Sequence, residues 1–188
     1  MQSLGDDEID QRLKAIWGEV RTTPAEKVKQ ITALKKRLTR DVLQTGSLVN
    51  GRLTFQKNCS NCHRLFNDGG TIGPDITGSQ RTNVDYLLEN LIDPSAAVAK
   101  DFQMELLATS SGRIVTGLVV EENELAVTVQ TVNERLVVPQ AEIENRKQSE
   151  LSLMPEGMLQ PLTFEQIRDL LAYLSSPSQV MLPAIEAP

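Results

Sequence analysis

Two thiols and an imidazole within five residues, Cys59-Ser60-Asn61-Cys62-His63, constrain this chain more than any other stretch of it. On a short helical turn, residues three apart point the same way, and the residue after the second thiol is carried to the adjoining face. This is the C-x-x-C-H spacing of covalent haem attachment, in which each thiol forms a thioether with a vinyl group and the histidine reaches the iron. A chain built for that purpose has to wrap a large, flat, apolar group, which limits its fold before any helix is assigned.

Other uses of the same residues account for less. A thioredoxin-like dithiol follows a buried strand of a βαβ unit, and no such strand precedes Cys59. A closed zinc site needs four ligands, and the chain has two cysteines and one histidine in total. A simple disulfide would use Cys59 and Cys62 but leave His63 unexplained. Composition fits a cofactor: apolar residues make up 40% of the 188, but aromatics only 4%, so a porphyrin would supply missing core material. The formal charge of −6 argues against nucleic acid and anionic membrane surfaces and favours a partner with a basic docking patch. No run approaches the length of a membrane-spanning helix.

Read in order, residues 7–45 suggest two helices. The first runs from about Glu8 to Val20; the second has Thr23 as N-cap, Pro24 at its first position, Glu26 closing a capping box and an end near Gly46. A short helix from Asn50 to Lys57 leads into the cysteines. A last helix opens at Thr163 with a second capping box, and Gly51 and Phe55 share the face that would meet Leu170 and Tyr173. Between the cysteines and a helix at Asn83–Ile92, the stretch Phe66–Gly78 holds four glycines and a proline, an irregular loop able to follow a haem edge. That helix offers Leu87, Leu88 and Leu91 to the ring. Phe102–Thr109, Arg113–Val120, Leu125–Thr131 and Arg135–Val138 read as a four-stranded antiparallel meander. Ser149–Met158 reads as an extended segment, and the tail from Ser175 as irregular.

His63 is the only histidine, so a second axial ligand has to come from elsewhere, and methionine is the common choice. Met1 is terminal, Met104 falls in a strand and Met181 in the tail. Met154, stiffened by Pro155, is the expected ligand, with Met158 in reserve.

Cys59–His63, Gly73-Pro74-Asp75-Ile76-Thr77-Gly78, Met154-Pro155 and Leu170-Leu171-Ala172-Tyr173-Leu174 together resemble class I c-type cytochromes over about residues 47–176. Gly78-Ser79-Gln80-Arg81, Tyr86–Ser95, Gly112–Gly117 and Ser152–Gly157 are similar, more narrowly, to the haem-binding domain of planctomycete and verrucomicrobial proteins. The resemblance implies a mainly α, class I cytochrome c helical fold, with an inserted four-stranded β meander and an N-terminal helical extension. The domains would be 1–46, the two-helix extension, and 47–188, the cytochrome domain with its β insertion at about 101–147. It also implies one haem c on Cys59 and Cys62, His63 and Met154 on the iron, the Pro74 carbonyl accepting from His63, and Arg81 beside a propionate.

The function implied is electron transfer rather than catalysis, between a dehydrogenase donor and another cytochrome or terminal acceptor. In that family the domain often ends large exported proteins with dehydrogenase-like regions. The first residues, Met1 to Glu8, are no signal peptide, although haem is attached outside the bacterial cytoplasmic membrane. The expectation is therefore a periplasmic or otherwise exported chain whose export signal has been removed or, as the favoured reading, a piece cut from a longer protein. Two alternatives stand beside it: a labile distal ligand giving peroxidase-like or gas-binding behaviour, and a structural haem in an interaction module.

Overall fold

The computed structural model describes residues 21–183. Over these the chain forms two compact units, residues 94–155 with Arg21 and Thr22, and residues 23–93 with 156–183. The expected helix Glu8–Val20 lies outside the described residues.

In the second unit, helix α1 (Ala25–Arg37) starts one residue later than its sequence suggests. Pro24 takes the N-cap position with an extended ψ of 144°, and no side chain caps the helix, so the Thr23/Glu26 box is not formed. The helix also stops early, at Leu38, which is buried. Thr39 then accepts a hydrogen bond from Val42 N–H and opens a separate short helix, α2 (Arg40–Gln44). Ion pairs join α1 to helix α4 (Val84–Ile92) and its cap: Lys35 to Asp85 at 2.6 Å and Lys27 to Asp93 at 2.7 Å. The helices at 25–44 thus belong to the same compact unit as the cysteines.

Helix α3 (Leu48–Asn58), capped by Ser47, crosses the last helix, α5 (Phe164–Leu174), at Gly51. A Cβ there would fall 2.0 Å from the Asp169 carbonyl oxygen and 2.6 Å from Tyr173 Cβ, so only glycine lets the backbones approach this closely. One turn on, Phe55 and Tyr173 rings meet at 5.7 Å and 57°, within the range favoured by aromatic pairs. The buried Asp169 carboxylate accepts from Ser47 N–H at 3.0 Å and from Arg168, so its charge is compensated. At the other end, Thr163 and Gln166 form the reciprocal capping box that starts α5.

The first unit is a sheet. Strands β3 (Gln103–Thr109), β4 (Ile114–Glu122), β5 (Ala126–Gln130), β6 (Arg135–Pro139) and β7 (Ile143–Ser152) are antiparallel in the order β6-β5-β4-β3-β7. Period-two burial places Leu107, Val115, Val127, Val129 and Val138 in one cluster, with Val119, Leu136 and Ile143 packed against it. The meander therefore has five strands rather than four. The fifth, β7, takes the edge beside β3 and includes part of the stretch expected to be a plain extended segment.

A mainly α class I cytochrome fold is thereby overturned. Of the described residues, 34% are helix and 25% strand, and they form a five-stranded antiparallel sheet and a two-stranded one. The reason is physical: β-branched residues at alternate positions give the sheet a hydrophobic cluster of its own, more than a decorative insertion would need.

Candidate cofactor-attachment site

The site is built on the C-terminal end of α3. Cys59 caps that helix, its N–H donating to the Phe55 carbonyl at 2.8 Å. The Cys59 carbonyl then accepts from both Cys62 N–H (3.1 Å) and His63 N–H (2.9 Å), closing one tight turn. Ser60 donates its hydroxyl to the Gln56 carbonyl at 2.7 Å and fastens this turn to the helix. Both thiols are free and half-buried. Burial, with the neighbouring Cys62 thiol adding to it, pushes the Cys59 thiol up to about 12. A dithiol redox pair works the other way, through a thiol whose ionisation is made easier.

Beyond the turn, strands β1 (Arg64–Leu65) and β2 (Asp68–Gly69) form a hairpin inside the stretch expected to be irregular. Phe66 and Asn67 connect them with φ of 53° and 64°, the pattern of a type I′ turn. Thr77 Oγ1 accepts from Phe66 N–H at 2.9 Å, and the Arg81 guanidinium lies 4.7 Å over the Phe66 ring, which offsets the cost of a bulky residue in this conformation.

The glycines that follow serve the cysteine turn itself. A Cβ on Gly69 would lie 2.2 Å from the His63 carbonyl oxygen, and one on Gly70 would lie 2.1 Å from that of Asn61. Gly73 differs in that its missing Cβ would meet the imidazole, 2.8 Å from Cε1 and 3.0 Å from Nδ1. The loop is also tied by hydrogen bonds: Gly70 N–H to Ser60 O at 2.7 Å, Gly73 N–H to Cys62 O at 2.8 Å, and Ile76 N–H to Arg64 O at 3.0 Å.

This strap brings the Pro74 carbonyl oxygen 3.0 Å from His63 Nδ1. A carbonyl only accepts, so Nδ1 carries a proton, and in the neutral ring Nε2 then keeps its lone pair. Among the described residues Nε2 has no hydrogen-bond partner. Such an imidazole, oriented through one nitrogen and open at the other, has the form of a metal ligand. Free thiols three apart, a histidine of fixed tautomer and a glycine cradle under its ring all suit a covalently held haem.

Cys59, Cys62, His63 and Pro74 come together in this way. Arg81 belongs to the same unit, but its Nε donates to the Thr77 carbonyl at 2.9 Å and its Nη1 to those of Leu174 and Ser176. Only Nη2 is left for a propionate. Leu87, Leu88 and Leu91 are buried, Leu88 completely. Met154 lies in the bend after β7, half-buried, with its N–H on Ser152 Oγ at 3.1 Å, and belongs to the sheet unit. Met158 is half-buried in the turn at 156–160 of the helical unit.

Sequence reasoning missed Gly73 as the support of the imidazole; the signal was a glycine directly before the proline whose carbonyl holds the same ring. Among the described residues, no three histidine, cysteine or carboxylate side chains gather as a metal site, and no helix is long and apolar enough to cross a membrane. No family model matches this sequence, and no curated protein matches it.

Proposed function

We propose that this chain carries one haem c, bonded through Cys59 and Cys62, and works in electron transfer outside the cytoplasm rather than as an enzyme. The observation that carries the proposal is the 3.0 Å approach of His63 Nδ1 to the Pro74 carbonyl. It fixes the orientation of the ring and leaves Nε2 free to bind iron. Met154 is the proposed second ligand, on the strength of the Met-Pro pair and of His63 being the only histidine.

When bound, haem supplies a reversible one-electron couple between ferric and ferrous iron, and histidine with methionine sets it at higher potential. The rest falls to the polypeptide. Cys59 and Cys62 would tether the ring, each by addition of its S–H across a vinyl group with no net oxidation. The Gly73–Pro74 strap holds the imidazole against rotation. The partners would be a dehydrogenase donor and a cytochrome or terminal acceptor.

The test is expression of the chain together with haem-maturation machinery, followed by intact mass and ferric spectra. The mass should rise by one haem in wild type and stay bare in the Cys59→Ala/Cys62→Ala double variant. Met154→Ala should lose the methionine-to-iron charge-transfer band and fall in potential; an unchanged spectrum removes Met154 from the proposal. A high-spin wild type that binds CO readily would instead support a labile distal site. Haem with no reversible couple would support a structural role. A colourless wild type of bare mass ends all three.

A further inference from the structure

A lysine in the first turn of a helix stands against the positive end of the helix dipole, so something outside the helix has to hold it there. Lys27, the third residue of α1, has two such partners. Its Nζ lies 2.7 Å from Asp93 Oδ1 and 2.7 Å from Glu156 Oε1. The two arms differ. Asp93 is buried, and among the described residues its carboxylate has no other hydrogen-bond partner, so Lys27 is what compensates that charge. Glu156 is about half exposed, and an ion pair there adds little stability by itself.

What Glu156 gains is a fixed place. Much of the cost of an exposed ion pair lies in ordering two long side chains. Here the lysine is already ordered by Asp93, so Glu156 meets a charge set in advance. Packing contributes less at this point: a cleft of about 210 Å³ opens beside the pair, with Lys27, Gln30, Leu91, Ile92, Glu156 and Leu159 among its lining residues. Glu156 also stands midway between Met154 and Met158, two residues from each. Beyond it, Gly157 takes a φ of 78° and its carbonyl accepts from Gln160 N–H at 2.9 Å, a turn anchored by the buried Leu159.

We propose that Lys27 is a positioning residue for the methionine ligand, acting through Glu156; this rests on the haem reading above. A methionine side chain is unbranched and flexible, so the place of its backbone decides how much of the time the thioether sits on the iron. Lys27 fixes that backbone from a helix that carries none of the proposed ligands.

Glu156→Ala in the haem-loaded full chain tests this, because it removes one arm and leaves the buried Lys27–Asp93 pair intact. The methionine-to-iron charge-transfer band should weaken. CO, which competes with the thioether for ferrous iron, should bind about two- to fivefold more tightly, the range an exposed ion pair can supply. The reduction potential should fall. Loss of a negative charge alone would raise it, so the sign separates positioning from electrostatics. Glu156→Gln, whose amide oxygen can still accept from Lys27, should keep most of the band. Lys27→Met is combined with Asp93→Asn so that no buried charge is stranded, and this double variant should reproduce the Glu156→Ala spectrum. In the haem-free chain, Gln160 N–H should exchange with deuterium faster in Glu156→Ala than in wild type, at an unchanged urea midpoint. An unchanged exchange rate, or an unchanged band and CO affinity, overturns the role of Lys27 while the haem reading stands. Wild type that emerges without haem overturns the parent proposal and this one together.

Discussion

At the scale of single residues, the strap at 69–74 separates what the fold needs from what the imidazole needs. Alanine at Gly70 would drive its Cβ against the Asn61 carbonyl, 2.1 Å away, and backbone does not move aside easily. Gly70→Ala should therefore cost about 1–3 kcal/mol in urea unfolding of the haem-free chain. Alanine at Gly73 meets the His63 ring first, its Cβ 2.8 Å from Cε1, and a side chain yields more readily than backbone. Gly73→Ala should stay within about 1 kcal/mol of wild type, yet load haem poorly or give an altered ferric spectrum, because the imidazole is displaced. Pro74→Ala keeps the carbonyl that His63 uses, so spectra should be unchanged and stability should fall by no more than about 1 kcal/mol. Cys59 adds a pH dependence to the haem-free chain. Its folded thiol is raised from 9.0 to about 12, so the stability it lends is fully present below pH 9 and is lost as pH rises towards 12. Urea midpoints taken across that window should fall in wild type more steeply than in Cys59→Ala.

At the scale of elements, the α3–α5 crossing makes the sharpest prediction. Gly51→Ala sets a Cβ 2.0 Å from the Asp169 carbonyl oxygen and should destabilise the chain by about 1–3 kcal/mol, with Phe55→Ala costing about 3–5 kcal/mol; urea midpoints measure both. This crossing was legible in the sequence because Gly51 and Phe55 are four apart and the α5 stripe faces them. The Thr163 box was legible for the same reason, its partner standing at the right spacing. Strand β7 was not. Its residues 144–148 are all exposed, so no alternation marks them. What holds the strand is its backbone pairing with β3, plus Arg146 between Glu105 and Glu122. The class I fold was misjudged because the cysteine motif reports a local turn and says nothing of how much of the remaining chain goes into strands. The hairpin at Arg64–Gly69 was hidden too, since Phe66 is an unusual residue for a type I′ position.

At the scale of the whole chain, residues 94–155, which with Arg21 and Thr22 make up the sheet unit, are an excursion whose two ends meet. Asp93 and Glu156, the last residue before it and the first after it, both reach Lys27, each at 2.7 Å. Within the sheet unit, Ser152 N–H likewise donates to Ser95 Oγ at 3.1 Å. Ends that converge in this way mark an insertion that can be removed. Replacing residues 94–155 by a short Gly/Ser linker should leave a helical unit that still unfolds cooperatively, since the Phe55–Tyr173 contact and the whole cysteine turn belong to it. The excised chain retains Cys59, Cys62, His63, Gly73 and Pro74 but has lost Met154. It should therefore gain the mass of one haem in the presence of maturation machinery while lacking the spectrum that depends on Met154. If the methionine band persists, Met158, which stays in the shortened chain, is the ligand. If the shortened chain melts without a cooperative transition, the helical unit depends on the sheet for its folding, and the meeting of its ends at Lys27 does not mark an independent body.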